Sequence, residues 1–509
     1  MLDKRLRAVA AADPAQEAIV CGQQRISYQQ LVERIDCLSE CLKCLGVSTG
    51  DCVVLLMPNC PEFVISFFAL ARIKAIALPL NHLFQPEEII YYLRDSQAKA
   101  IICDAARAEI CQPVWKELER EIPLIITDQK TPESLPFADL CLTNPELAST
   151  SDAEFTGDVL YQYSSGSTGR PKRVARTQNN LYCELTSFAQ TTKVTSHDKI
   201  LCVVPLYHAH GLGNGMLAAI CNGATLVLLE QAYRDGIPVE VPLVFKSPQI
   251  FSLIKSEQIT IFPAVPYIFN TLAETPFKNV DLSSLRLCFS AGNFLSQEIF
   301  EKFLTKFGVP IRQLYGCTEA GAIAINLDDD IAGTYNSVGQ PLAGIVVKVI
   351  DESGKELRSR EVGELLIVAD TLTKEYYNLP QLNQQAFKYG GFLTGDLGYI
   401  DERGRIFVTG RKKILIDTGG RKVDPIEVED ILLAHSKVKE AVVVGVKGGT
   451  AGEMVKAVVV RQTNQDCQEQ EIFNHCKDYL AAFKVPKIIE FREEIPKSPL
   501  GKILRKELV

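Results

Sequence analysis

Apolar residues recur along this chain with two alternating periods. Between residues 28 and 45 they fall three and four apart, the spacing of an amphipathic helix. A Gly50-Asp51 turn then leads into an unbroken apolar run, 52–57, of strand length. The alternation repeats: 61–72 predicts a helix, 75–80 a strand, 86–95 a helix opened by proline and two glutamates, and 98–103 a strand. Helices alternating with short apolar strands predict a layered, largely parallel sheet. Residues 127–157 are polar, with Pro and Ser, and predict a surface connection. A second series has strands at 201–205, 224–229, 259–265, 285–291 and 311–315, the first followed by a long small-residue stretch to Gly215. The last three end in residues suited to a site at strand ends. From 337 to 401 short strands with Gly and Asp turns, as in 346–351 and 363–368, mark a β-rich unit. Gly410-Arg411-Lys412-Lys413 is a charged hinge candidate. The chain beyond it repeats the pattern at 425–433, 441–446, 455–460 and 468–480. The expected fold is α/β. A large N-terminal domain, 1–410, holds layered αβ subdomains and the β-rich unit; a small C-terminal α+β domain fills 411–509 beyond the hinge candidate.

Composition narrows the function. A chain of 509 residues, 47% hydrophobic and 23% charged, is an ordinary globular protein too long for one core. Its net charge of −8 argues against nucleic acid or an anionic membrane as main partner. The start, Met1-Leu2-Asp3-Lys4-Arg5, has no apolar core of signal-peptide length, and the apolar stretch 63–80 is broken by Arg72 and Lys74. A soluble, cytoplasmic protein with no membrane span is expected. Of sixteen cysteines, Cys37, Cys41 and Cys44 lie i, i+4, i+7 among Leu38, Leu42 and Leu45. That spacing predicts reduced thiols on a buried helix face; no Cys/His cluster supplies the other ligands for zinc.

The candidate chemistry starts at 163–174, Tyr-Ser-Ser-Gly-Ser-Thr-Gly-Arg-Pro-Lys-Arg-Val. Gly166 and Gly169 free the backbone to turn successive N–H groups toward one anion. Ser164, Ser165, Ser167 and Thr168 add hydroxyl donors, and Lys172 a movable positive charge. Polyphosphate suits such a loop, although its spacing is not that of a Walker loop. Four further stretches accompany it: Tyr315-Gly316-Cys317-Thr318-Glu319, Thr394-Gly395-Asp396, Gly410-Arg411, and 496–502, a Pro- and Gly-bounded loop ending in Lys502.

Together, in this order and spacing, the set resembles the adenylate-forming superfamily of acyl-CoA synthetases, peptide-synthetase adenylation domains and beetle luciferase, over essentially the whole chain. The resemblance implies that Ser164, Ser165, Gly166, Ser167, Thr168, Gly169 and Lys172 hold the β- and γ-phosphates of ATP. It implies that Thr318 and Glu319 meet the α-phosphate and Mg²⁺, with Glu319 the metal ligand. Asp396 and Arg411 would hold the ribose. Ala291, Gly292 and Asn293 would line the adenine, with Tyr315 and Gly316 beside them. Lys502 would bridge the reacting carboxylate and α-phosphate. Lys413 falls at the hinge about which the small domain turns between half-reactions. Gly419 and Gly420 then line the thiol tunnel for the pantetheine of CoA or of a carrier protein. His208 matches a gating aromatic; alternatively, His208 and His210 end a strand and find backbone partners.

The implied reaction joins an acid to a thiol through acyl-AMP, using ATP, Mg²⁺ and CoA. The segment 205–211 lacks the aspartate that amino-acid-activating relatives carry, which favours an uncharged tail. Apolar residues at 212–219 and 262–269 point to a fatty acid, with an aryl acid close behind. Transfer to an acyl carrier protein is the alternative second step. A nucleotide-binding regulator without catalysis is the alternative class, opposed by the presence of Lys502, Glu319, Asp396 and Arg411. Three departures stand out: Arg173 replaces the glycine usual after the loop lysine, Cys317 fills a variable position, and Arg421 stands where glutamate or asparagine is commoner.

Overall fold

The computed structural model describes residues 1–118, 122–127, 135–137, 155–164, 171–234, 237–239, 241, 243–277, 280–411, 415–448, 452–462, 465–496, 503 and 505–509. The surface connection expected over 127–157 falls largely outside them. Two big sheets form the N-terminal domain. One has seven strands in the order Leu135–Pro136, Leu124–Ile126, Ala100–Cys103, Cys52–Leu56, Ile76–Pro79, Asp158–Ser164 and Lys172–Thr177. Only its last pair is antiparallel, and there Ser164 sits opposite Lys172. The strands at 52–56, 76–79 and 100–103 are buried along their whole length, as parallel strands covered on both faces must be.

The other sheet has nine strands. It runs Gln340–Pro341, Gly321–Ile325, Ile311–Cys317, Leu287–Ser290, Ile261–Ala264, Lys199–Cys202, Thr225–Leu228, Glu17–Cys21 and Gln24–Ser27. A five-stranded antiparallel sheet comes next in the chain, built from Val346–Ile350, Gly363–Val368, Phe387–Lys388, Gly391–Ile400 and Ile406–Arg411. The C-terminal domain packs helices Pro425–Ala434 and Glu469–Tyr479 on a sheet of Val438–Lys447, Glu453–Arg461 and Ile488–Arg492. Val428, Leu432, Val443, Val459 and Ile472 belong to a core of its own.

Local chemistry sets the helix starts. Proline opens Pro61–Arg72, Pro86–Ser96, Pro266–Glu274 and Pro425–Ala434, where its missing N–H costs nothing. Ser27 and Gln30 form a reciprocal cap for Tyr28–Cys44. That helix corrects one expectation. Its buried face is Leu31, Ile35, Leu38 and Leu42, whereas Cys37 and Cys41 are half-buried and Cys44 is exposed. Two neighbouring stripes share the same spacing, and the leucines, with more apolar area to remove from water, take the inner one. The small-residue stretch ending near Gly215 carried no predicted element. Residues His210–Leu217 form a π-helix, buried throughout.

Candidate functional site

At one end of the site, paired strands hold a carboxylate in a polar net. Asp396 lies opposite Arg411 in the antiparallel register. Arg411 Nε donates to Asp396 Oδ1, and the Tyr315 hydroxyl donates to Oδ2 at 2.6 Å. Asp396 is only 4% exposed, and burying a carboxylate is costly unless such donors satisfy its oxygens. Burial pulls the Arg411 guanidinium down, but Asp396 outweighs it and holds the group above its ordinary value. Burial, reinforced by Asp396, drives the Tyr315 phenol far above its ordinary range, so it remains a donor. Ala291, Gly292 and Asn293 follow the strand Leu287–Ser290 beside this net.

Thr318 and Glu319 occupy the turn after the strand Ile311–Cys317. A Cβ on Gly316 would lie 2.4 Å from the carbonyl oxygen of Gly321, so only glycine lets the chain double back this closely. Glu319 is held twice. Its carbonyl accepts from Thr373 N–H at 2.8 Å, and its Oε1 accepts from the Tyr376 hydroxyl at 2.7 Å. Lys172 Nζ stands 4.9 Å from the centre of the Tyr376 ring. Burial, and then Glu319, raises the Cys317 thiol, which stays protonated beside the site. Among the described residues no group of three or more His, Cys, Asp or Glu forms a metal cage. One hard carboxylate suits Mg²⁺, which fills its shell with nucleotide oxygens and water.

Two histidines mark the far end, and Lys246, Lys422 and Glu427 also line the cavity. His210 Nε2 lies 3.1 Å from the Ala264 carbonyl and Nδ1 lies 3.0 Å from Asn214 Nδ2. Those contacts fit the tautomer protonated at Nε2, and His210 does find backbone and side-chain partners. Burial lowers His208 to about 4, helped by Lys422, and His210 to about 3, so both rings are uncharged at neutral pH. The loop bearing Gly419 and Gly420 comes from the C-terminal domain. Gly420 has φ +88°, and a Cβ there would approach Val265 to 2.9 Å. Of the stretch 212–219 only Asn214 lines the cavity, the others being core. Val265, Tyr267 and Ile268 of 262–269 line it, while Phe262 and Phe269 pack inward with Phe303. Val203, Val204, Leu229 and Leu243 add apolar wall.

A single cavity of about 1620 Å³ collects these groups. Ser164, Lys172, His208, Ala291, Gly292, Asn293, Tyr315, Gly316, Thr318, Glu319, Asp396, Arg411, Gly419 and Gly420 all line it. Ser165, Gly166, Ser167, Thr168, Gly169, Lys413 and Lys502 lie outside the described residues.

Residues 6–377 match the family profile described as AMP-binding enzyme, and 427–502 match that of the AMP-binding enzyme C-terminal domain. The chain belongs to the AMP-binding enzyme family. Among family members, a long-chain-fatty-acid–CoA ligase of Mycobacterium tuberculosis is 31% identical over 506 residues, covering 98% of this chain and 96% of the relative. The solved o-succinylbenzoate CoA synthetase of Bacillus subtilis, bound with a product analogue, superposes with TM-score 0.85 at 25% identity, over 99% of this chain and 98% of that one. ATP-bound MatB of Rhodopseudomonas palustris gives 0.71 at 26% identity, over 100% and 98%. The mixed α/β architecture, with its large and small domains, is the family's, and the enzyme class is that of an acid–thiol ligase.

Sequence reasoning missed several residues of this AMP-binding enzyme's site. Tyr376 sits in an irregular connection with no periodic signal around it. Lys484, 5% exposed, reaches Glu88 of the large domain at 2.6 Å and Glu427 at 2.7 Å. Arg176 and Glu184 form a buried ion pair at 2.9 Å beneath the turn of Thr318. Each pairing spans elements that only the folded chain brings together.

Proposed function

We propose that this chain activates a fatty acid with ATP and transfers the acyl group to CoA. In the first step the acid's carboxylate attacks the α-phosphate, giving acyl-AMP and releasing pyrophosphate. In the second the thiol sulfur attacks the acyl carbon, giving the thioester and releasing AMP, while the thiol proton passes to solvent. The observation that carries this reading is the common cavity. It is lined by hydroxyl and ammonium groups for phosphate, an acid with its guanidinium for ribose, and an apolar wall with two uncharged histidines for the acid's tail.

The first step brings two anions together, so it needs fixed positive groups and donors where charge develops. Lys172 and Arg411 supply positive charge within the described residues, and Lys502 is proposed to bridge the two reacting groups. Glu319, with Thr318, would hold the Mg²⁺ that neutralises the phosphates when ATP is bound. Asp396 accepts from the ribose hydroxyls while Tyr315 and Arg411 keep it aimed. The neutral His208 closes the acid end without presenting a charge to the tail. Gly419 and Gly420 leave room for a pantetheine arm, and the small domain, with a boundary proposed at residue 410, carries them.

The test is acid-dependent ATP–pyrophosphate exchange across fatty, aryl and dicarboxylic acids, followed by thioester formation with free CoA or a carrier protein. Exchange strongest with fatty acids and a CoA product is expected. Preference for an aryl acid or a carrier protein would replace those parts of the reading, and exchange with no acid would end it. Among the described residues no helix is long and apolar enough to cross a membrane, and recovery in the cytoplasmic fraction is expected.

A further inference from the structure

We propose that Arg173 is a positioning residue that ties the strand leaving the Ser/Gly-rich run to the segment 373–377 and thereby sets Glu319 for Mg²⁺. The proposal rests on the nucleotide-binding role assigned to Glu319 above. The family resemblance implies glycine at this position, so Arg173 is a departure from the motif.

Arg173 does not face the nucleotide side. Its guanidinium carbon lies 3.4 Å from the centre of the Tyr377 ring and 4.8 Å from that of Tyr161, a cation held between two aromatic faces. The residue is 5% exposed, and Nε is 3.3 Å from Asp95 Oδ2. Its Nε and Nη2 have no hydrogen-bond acceptor, so the planar faces and the Asp95 charge hold the group. A desolvated stack of this kind is much stronger than an exposed one, and the flat guanidinium suits it where an ammonium does not.

The backbone continues the same attachment. Tyr377 N–H donates to the Arg173 carbonyl at 3.2 Å, Val174 pairs with Tyr376, and Thr373 Oγ1 donates to the Ala175 carbonyl at 2.7 Å. Three successive residues of the strand therefore grip the segment. The segment in turn grips Glu319 at its carbonyl through Thr373 and at its carboxylate through Tyr376. Lys172, one residue before Arg173, lies over the ring of that same Tyr376. The lysine for the phosphates and the carboxylate for the metal are thus spaced by one strap, with Arg173 as its pin. Without the pin, the Tyr376 hydroxyl loses its fixed position and the carboxylate gains rotational freedom, which weakens a metal site more than a bare phosphate site.

Calorimetric titration of the full chain with MgATP, and with ATP in EDTA, tests this in wild type, R173K and Y377L. Tyr377 is 46% exposed, so the second variant probes the stack without emptying a core. Both variants are expected to lose about tenfold in MgATP affinity and little in metal-free ATP affinity. Half-saturating Mg²⁺ in the exchange reaction should rise by the same factor, with the KM for the acid unchanged. Equal losses with and without Mg²⁺, unchanged affinities in both variants, or a wild type indifferent to Mg²⁺ would overturn the proposal. A wild type that binds MgATP tightly yet exchanges pyrophosphate with no acid would remove the activity and leave the comparison of affinities standing.

Discussion

The two walls of the cavity are built on different mechanical terms. On the nucleotide wall, functional side chains stand on strands in fixed register, as Asp396 and Arg411 do, and each polar group answers another. The opposing wall comes from a separate small domain. Its Gly419-Gly420 turn is laid against Val265, with Thr418, Arg421, Lys422 and Glu427 also facing the cavity, and Lys484 tethers it to Glu88. Burial pulls the Lys484 ammonium down, but Glu427 and Glu88 outweigh it and keep it charged between the rings of Phe84 and Phe483. In the proposed mechanism the groups fixed in a sheet stay put through both half-reactions. The loop proposed to change place is held, among the described residues, by the buried ionic latch of Lys484.

The sharpest way to break this contrast is Lys502→Ala. Losing the bridging cation should lower pyrophosphate exchange by about 10³-fold, while thioester formation from supplied acyl-AMP stays largely intact. Equal loss in both would mean that the small domain does not divide its work between faces. Next comes Asp396→Ala, which removes the ribose acceptor and leaves Arg411 without its counter-ion. About 10²-fold lower kcat/KM for ATP is expected in exchange kinetics, and an unchanged value would detach the carboxylate from the sugar. Gly420→Val should reduce thioester formation about tenfold more than exchange, because the new side chain meets Val265 at a backbone angle that only glycine adopts easily. Loss confined to exchange would place the turn on the wrong half-reaction.

Lys484→Met should act more weakly, lowering the rate of thioester formation relative to exchange by about fivefold as the latch loosens. No change in that ratio would make the ion pair a passenger. The smallest effect is on stability against pH. His208 and His210 have folded values of about 4 and about 3, below the ordinary 6.5. Below pH 6.5 the unfolded chain therefore takes up protons that the folded chain refuses, and stability falls as the pH drops toward 4. His210→Phe should flatten that fall in thermal melts between pH 7 and pH 4.5; an equally steep loss would remove His210 as its source.

Legibility in the sequence obeyed the same division. Strands with continuous apolar runs, such as 52–56 and 76–79, and helices opened by proline, such as 61–72, declare themselves because burial and caps are local. Asp396 and Arg411 were singled out because a Gly-Asp turn and a Gly-Arg pair fall in the order and spacing that carry the family resemblance. Tyr376, Lys484 and the Arg176–Glu184 pair left none, since each acts through a partner 8 to 396 positions away. Arg173 was visible as a departure, but its meaning was not, because Tyr161 and Tyr377 flank it only in space. The cysteines of 37–44 show the opposite error, a periodicity that was real and assigned to the wrong stripe.

The wide winding of His210–Leu217 has a consequence for how relatives of this chain diverge. Eight residues coiled more loosely than an α-helix form a seam where one residue can be lost without breaking the coil. Such a deletion would tighten a turn and swing the preceding ring, His208, about 100° around the axis relative to the downstream turns. The shape of the cavity at its histidine end can therefore change in a single step of chain length.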